Sequence, residues 1–351
     1  MSPCTSPMKF TKEKTNIAKG VAICLMFLSH LYSFPERLMD GNYYIPLIPS
    51  LNAEFHIGNF GNVCVSMFLF LSGYGMFWGQ TSSKKSPLIY SLIKIKDFYL
   101  TYWIYFLVFV PIGLLFFKNV TLWNSNEIRY STDLTTFLEG FLGWSPRYNS
   151  EWWFVQMFIF LLLFTCPLYI TLAKRNPLLL LLTSVSIFLL SLFFKVGYTD
   201  INSFTFWQIS FAAGMLCASF NFFSSPFVQK IDNFKSIFLL LFIAGFFVVR
   251  YRFGARIDFL FMPVFIYSIV RLADGLRLSN ILMYLGSYSF PMWLIHSFFC
   301  YYYFQNFIYF PRWSPLIFIL LTVTSLLTAL SIENLRLFLG RSIPFVLFNR
   351  E

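Results

Sequence analysis

The chain has 351 residues, of which 58% are hydrophobic, 22% aromatic and only 12% charged. A globular domain carries roughly 25% charged residues, so this chain lacks the polar surface to fold free in water. Its net charge of +11 is dispersed over short segments instead of forming one stripe, which speaks against nucleic acid as a partner.

A membrane helix needs roughly 17–25 mostly apolar residues. That ruler marks ten runs, near 17–33, 61–78, 98–117, 153–172, 178–194, 204–223, 236–250, 257–272, 283–304 and 314–332. The expectation is an all-α membrane protein, a polytopic bundle of about ten transmembrane helices, with residues 1–351 forming one integral-membrane domain. The first run has no small-residue exit site and reads as a retained helix, not a signal peptide. The longest connections, 34–60 and 118–152, are too short for a soluble domain. Lys and Arg favour cytoplasmic loops. Lys9, Lys12, Lys14, Lys84, Lys85, Lys174, Arg175, Arg341 and Arg350 fall on one side together with both termini, which are therefore expected in the cytoplasm. Arg250, Arg252 and Arg256 form a discordant outer cluster, suited to an anionic polymer, a lipid-linked sugar phosphate or membrane headgroups. The 48 Phe, 20 Tyr and 9 Trp, many at the ends of runs, suit rings at the lipid headgroup level. Cys4, Cys24, Cys64, Cys166, Cys217 and Cys300 are scattered with no CxxC and read as packing residues, with no metal site implied.

Two histidines, His30 and His296, lie deep inside apolar runs, where an imidazole must be paired or face a wet cavity. Lys19 precedes His30 by eleven positions, about three helical turns plus 20°, so both leave nearly one face some 16 Å apart. A cation at a membrane boundary and a titratable base further in suggest a track for a long anionic ligand, though Lys19 also suits ordinary snorkelling. With the termini inside, His30 and His296 fall at one depth.

Four segments together resemble the membrane acyltransferase-3 family, bacterial enzymes that move acyl groups from acyl-CoA onto sugars and polysaccharides. They are IAKGVAICLMFLSH (17–30), VSMFLFLSGYGMFWG (65–79), NSEWWFVQMFIFLLLFTCPLY (149–169) and LGSYSFPMWLIHSFF (285–299). The first is similar to the family's opening helix, in which a basic residue, usually Arg, precedes a histidine with ten residues between. The resemblance implies acetyl-CoA or another acyl-CoA as a donor substrate rather than a permanently bound cofactor. It further implies a glycan or lipid-linked glycan as acceptor, and a multi-pass location in the bacterial inner membrane.

On that footing His30 is the candidate general base for the attacking sugar hydroxyl. No Ser-His-Asp arrangement is recognisable, so direct transfer is favoured over an acyl-enzyme. His296 would orient the acceptor hydroxyl or stabilise the oxyanion. Lys19 would contact the coenzyme A phosphates, as would Lys94 and Lys96, which stand where the family commonly has arginines. Ser72 is a possible polar partner. Glu151, Trp152 and Trp153 form a candidate acceptor platform beside Asp133, Glu139 and Arg147, although the two tryptophans equally suit an aromatic belt. His56 lies with Glu54 in the outer loop. The rival readings are a polysaccharide polymerase, kept open by His56 and the Arg250–Arg256 cluster, and a lipid-linked oligosaccharide flippase.

Overall fold

The computed structural model describes residues 10–123, 125–232 and 235–342; Cys4, Lys9 and Arg350 lie outside them, as does the side chain of Arg341. Among the described residues no strand forms, and pairing outside helices is limited to two isolated bridges. The order begins α1 Lys12–Tyr32, α2 Ala53–Gly61, α3 Cys64–Thr81, α4 Pro87–Phe116, α5 Leu134–Phe141, α6 Trp153–Phe160, α7 Cys166–Arg175 and α8 Pro177–Phe193. It continues with α9 Phe204–Ser219, α10 Pro226–Asp232, α11 Ser236–Phe253, α12 Asp258–Gly275, α13 Ser279–Ser287, α14 Ser289–Ser297, α15 Gln305–Tyr309 and α16 Ser314–Ser342.

Helix starts follow local chemistry. Thr11 caps α1 by accepting from the Lys14 amide, and Ser86 and Asn176 cap α4 and α8, each followed by a proline that has no amide hydrogen to lose. Pro167, by contrast, falls inside an apolar run. The chain accommodates it with a π-helical turn, Leu161–Thr165, between α6 and α7.

By length and composition six helical stretches can cross a membrane: Lys12–Tyr32, Ala53–Thr81, Pro87–Phe116, Ser150–Arg175, Ser236–Gly275 and Ser314–Phe338. A helix stands at each of the ten runs marked in the sequence, but the remainder do not qualify one by one. Helices α8 and α9 are apolar yet shorter. Helices α11 and α12 form one apolar stretch through the turn Gly254–Ile257, and the run at 283–304 is interrupted at Tyr288.

Helix α1 sits at the centre, packed on α13, α2 and α3. Its approach to α13 is backbone to backbone: a Cβ on Gly20 would collide with the Leu282 carbonyl, and one on Gly286 with the Asn16 carbonyl. Such small-residue crossings carry helix association where no hydrophobic driving force separates helix from lipid. Outward faces of α8, α11 and α16 expose apolar residues including Leu182, Leu189, Leu241, Val248, Ile319 and Leu327, as lipid contact requires.

One charge pair is built into this frame. Arg250 Nε meets Asp258 Oδ1 at 2.8 Å, with both side chains buried, and Ser66 Oγ donates to Asp258 Oδ2 at 2.8 Å. Arg250 Nη1 also reaches the Asn59 and Phe60 carbonyls at 3.3 Å. Arg250 therefore knits α2, α3, α11 and α12 together, and its charge is taken by Asp258. Arg250→Ala is expected to cost about 3–5 kcal/mol by stranding a buried carboxylate, whereas replacing both partners by leucine should recover most of the loss. Chemical unfolding in detergent micelles measures both; equal instability of single and double variants would contradict this account.

Candidate active site

The site forms where the last turn of α1 meets two broken elements. The 3₁₀ turn Ser150–Trp152 carries Glu151 into the bundle. It is held there by Asn149, whose Oδ1 accepts both the Glu151 amide at 3.0 Å and the Ser297 hydroxyl at 2.9 Å, and by Trp152 Nε1, which donates to the Leu294 carbonyl at 3.0 Å. After α14 the helix widens into a π turn, Phe298–Tyr302, which brings Tyr301 to α1 and Tyr302 to the Ser150 turn. Just past α1, a second 3₁₀ turn, Pro35–Arg37, is pinned by Gln305, whose Nε2 donates to the Arg37 carbonyl at 2.9 Å.

These elements converge on one carboxylate. Glu151 Oε2 lies 3.4 Å from His30 Nε2, and Glu151 Oε1 accepts from Arg37 Nη1 at 2.9 Å, with 8% of the Glu151 side chain exposed. The Arg37 guanidinium in turn stacks over Phe34, 4.1 Å from its centroid, and near Tyr301 and Trp123 at 5.2 and 5.5 Å.

Hydrogen bonding assigns the protons. The Tyr301 hydroxyl donates to the His30 carbonyl at 2.5 Å, so it has only lone pairs to offer His30 Nδ1, 3.3 Å away. In the neutral ring a hydrogen on Nδ1 suits Tyr301 and leaves the Nε2 lone pair against the Glu151 carboxylate, an opposition that a proton gained at Nε2 turns into an ion pair. His296 follows the same rule: Nδ1 donates to the Trp293 carbonyl at 2.7 Å, and Nε2 is buried without a partner. The two imidazole centroids are 4.8 Å apart.

A cavity of about 1020 Å³ runs along this site, lined by Lys19, Ser72 and Ser289 toward the start of α1, by His30, Arg37 and Glu151, and by Trp153, Trp207 and Tyr251 beyond them. Lys19 and His30 thus line one passage, as their helical register predicts. The structure brings His30, His296 and Glu151 together and leaves other sequence candidates apart. Trp152 is buried among Tyr102, Phe106 and Phe298 and is not a platform; Trp153 faces the cavity in its place. Lys94 and Lys96 are not among the lining residues; Lys94 pairs with Asp97 at 3.4 Å across one helical turn. Asp133 caps α5 through the Thr136 amide and hydroxyl, hydrogen bonds that hold its carboxyl below the usual range. Arg147 pairs with Glu127, Glu139 is exposed on α5, and Glu54 accepts from the Leu47 amide and the Ser314 hydroxyl. His56 lines the cavity.

Two residues at the centre had no sequence signal of their own. Arg37 is the first cation beyond the opening run, and Tyr301 lies five positions after His296, a spacing that meets α1 only through the π turn.

Fold and site together define a multi-pass helical membrane protein whose polar groups gather along an internal passage. The family model described as an acyltransferase domain matches residues 14–333, and the chain belongs to that family, the membrane acyltransferase-3 family. The protein is accordingly a membrane acyltransferase. Neither a curated protein nor a solved structure matches the chain.

The division between the two tryptophans is testable without an assay of activity. Trp152→Ala is expected to cost about 3–5 kcal/mol of stability, and Trp153→Ala much less because its ring is only half-buried. Unfolding in detergent separates them, and comparable losses would reject the assignment.

Proposed function

We propose that this protein transfers an acyl group, acetyl from acetyl-CoA in the first instance, to a hydroxyl of an envelope glycan or its lipid-linked precursor at the bacterial inner membrane. One observation supports the reading: His30 lines a passage that Lys19 also lines, eleven positions and about 16 Å of helical rise away, a spacing suited to a phosphate-bearing thioester donor. A further point in favour is that no carboxylate pairs with Lys19 among the described residues, which leaves its charge for an anionic ligand.

In this reaction the acceptor oxygen attacks the thioester carbonyl while its proton moves to His30 Nε2. The new C–O bond forms, the tetrahedral centre collapses, and the C–S bond breaks. The departing thiolate takes the proton from His30 and leaves as free coenzyme A. Glu151 stabilises the transient imidazolium, and Tyr301 holds the ring in the tautomer that keeps Nε2 free. His296 is fully buried and is not among the lining residues, so it acts on the acceptor only through the adjacent His30 ring, 4.8 Å away. As a neutral ring with its hydrogen on Nδ1 it has none on Nε2 to give an oxyanion, so that role requires it first to gain a proton.

The test is transfer of label from acetyl-CoA to envelope glycan in proteoliposomes, read by mass spectrometry as a gain of acetyl. His30→Ala is expected to lower kcat by roughly 10²–10⁴-fold, and Tyr301→Phe to lower kcat with the acetyl-CoA KM unchanged. Lys19→Ala is expected to raise that KM. In cells, His30→Ala should leave glycan of full length without its ester groups. Wild-type turnover by His30→Ala rejects the base assignment, and shortened or unlinked chains would favour polymerisation.

A further inference from the structure

Beyond His30 the cavity is walled by rings supplied from separate parts of the chain: Trp153 at the start of α6, Trp207 on α9, Tyr198 in the connection before it, Tyr251 on α11 and His56 on α2. Trp207 is fixed in plane by its Nε1, which donates to the Tyr198 carbonyl at 2.9 Å. Its centroid is 6.3 Å from that of Trp153 and 5.6 Å from that of Tyr198, and His56 and Tyr251 lie 5.9 Å apart. The amides of Asn59 and Asn62 line the same space.

The charges of this region are already matched. Arg37 is paired with Glu151, and Arg250 with the buried Asp258. Arg252 and Arg256 are exposed and are not among the lining residues. The cavity is therefore polarised: the start of α1 offers the amine of Lys19 to an anion, while the far end offers ring faces, the His56 imidazole and amides, its one guanidinium, Arg250, being paired with Asp258. Aromatic faces with neutral hydrogen-bonding groups recognise a molecule that has C–H faces and hydroxyl edges. A carboxylate or sulfate placed there would be desolvated with no unpaired lysine or arginine to meet it.

We propose that this aromatic end is the acceptor subsite, that it takes an uncharged sugar ring, and that Trp207 and Tyr251 are acceptor contacts. The proposal rests on the acyl-transfer reading above. It adds a selectivity: among envelope sugars the neutral ones are acylated and the uronic, sialic or sulfated ones are not.

The experiment uses the full chain in lipid nanodiscs with labelled acetyl-CoA. The acceptors are oligosaccharides released from the source envelope by mild acid and separated by anion exchange into unretained and retained fractions. Label is expected on the unretained fraction. Trp207→Ala and Tyr251→Ala should each raise the KM for that fraction roughly tenfold while holding the KM for acetyl-CoA, and Trp207→Phe, which keeps a ring, should recover most of the difference. Tyr251 is 69% exposed, so its truncation is read without a folding cost. Label confined to the retained fraction, an acceptor KM that both alanine variants leave unchanged, or a rise in the acetyl-CoA KM instead, overturns the subsite and leaves acyl transfer standing. Absence of label on either fraction removes acyl transfer itself, and the subsite with it.

Discussion

The arrangement turns on a carboxylate that cannot stand alone. Burying an ionised Glu151 costs several kcal/mol unless its oxygens are matched; Arg37 matches one, and His30 matches the other only while its Nε2 carries a proton. Each partner is constrained in turn. Arg37 is held by rings and by Gln305, while Tyr301 fixes the His30 ring. The geometry of the site is thus over-determined: moving one member strands a charge or a hydrogen bond on the next.

That constraint explains why regular helix fails at three nearby places. The turns at Pro35–Arg37 and Ser150–Trp152 and the π turn at Phe298–Tyr302 each bring a side chain to a point that an uninterrupted helix would miss. In hydrocarbon, irregular backbone is tolerated only where it is buried in protein or lines a wet cavity. Here it is buried against α1 and beside the cavity, with freed groups taken up by Asn149, Gln305 and the tyrosine hydroxyls. π turns of this kind recur at functional sites because one added residue re-aims the side chains that follow it.

Much of this was legible before any coordinates. Helical periodicity alone placed Lys19 and His30 on one face, and depth counting placed His296 level with His30; their rings are 4.8 Å apart. Hydropathy marked a helix at every run. The failures have a common physical source. Glu151 was visible beside two tryptophans, but its direction depends on a turn held by Asn149, and a one-residue rotation there decides that Trp152 is core and Trp153 faces the cavity. Lys94 and Lys96 stand where the family commonly has arginines but are not among the residues that line the passage. Arg37 and Tyr301 join the site through loop closure and a π turn, neither of which leaves a period in the sequence.

The same logic separates charge that builds the protein from charge available to a ligand. Arg250 is a membrane-embedded arginine with an aspartate partner, a serine on that partner and two carbonyls of its own, and so it is consumed by the fold. Lys19, part-buried at the other end of the cavity, has no carboxylate partner among the described residues. An ionisable group retained inside a membrane without a protein counter-charge is destabilising in the absence of ligand. Its persistence beside a glycine-tight helix crossing, where α1 has no freedom to turn it away, places the cost in the ground state of the empty protein. On the acyl-transfer reading proposed above, an anionic donor bound beside Lys19 would relieve that cost, and the shared helix face would set its register toward His30.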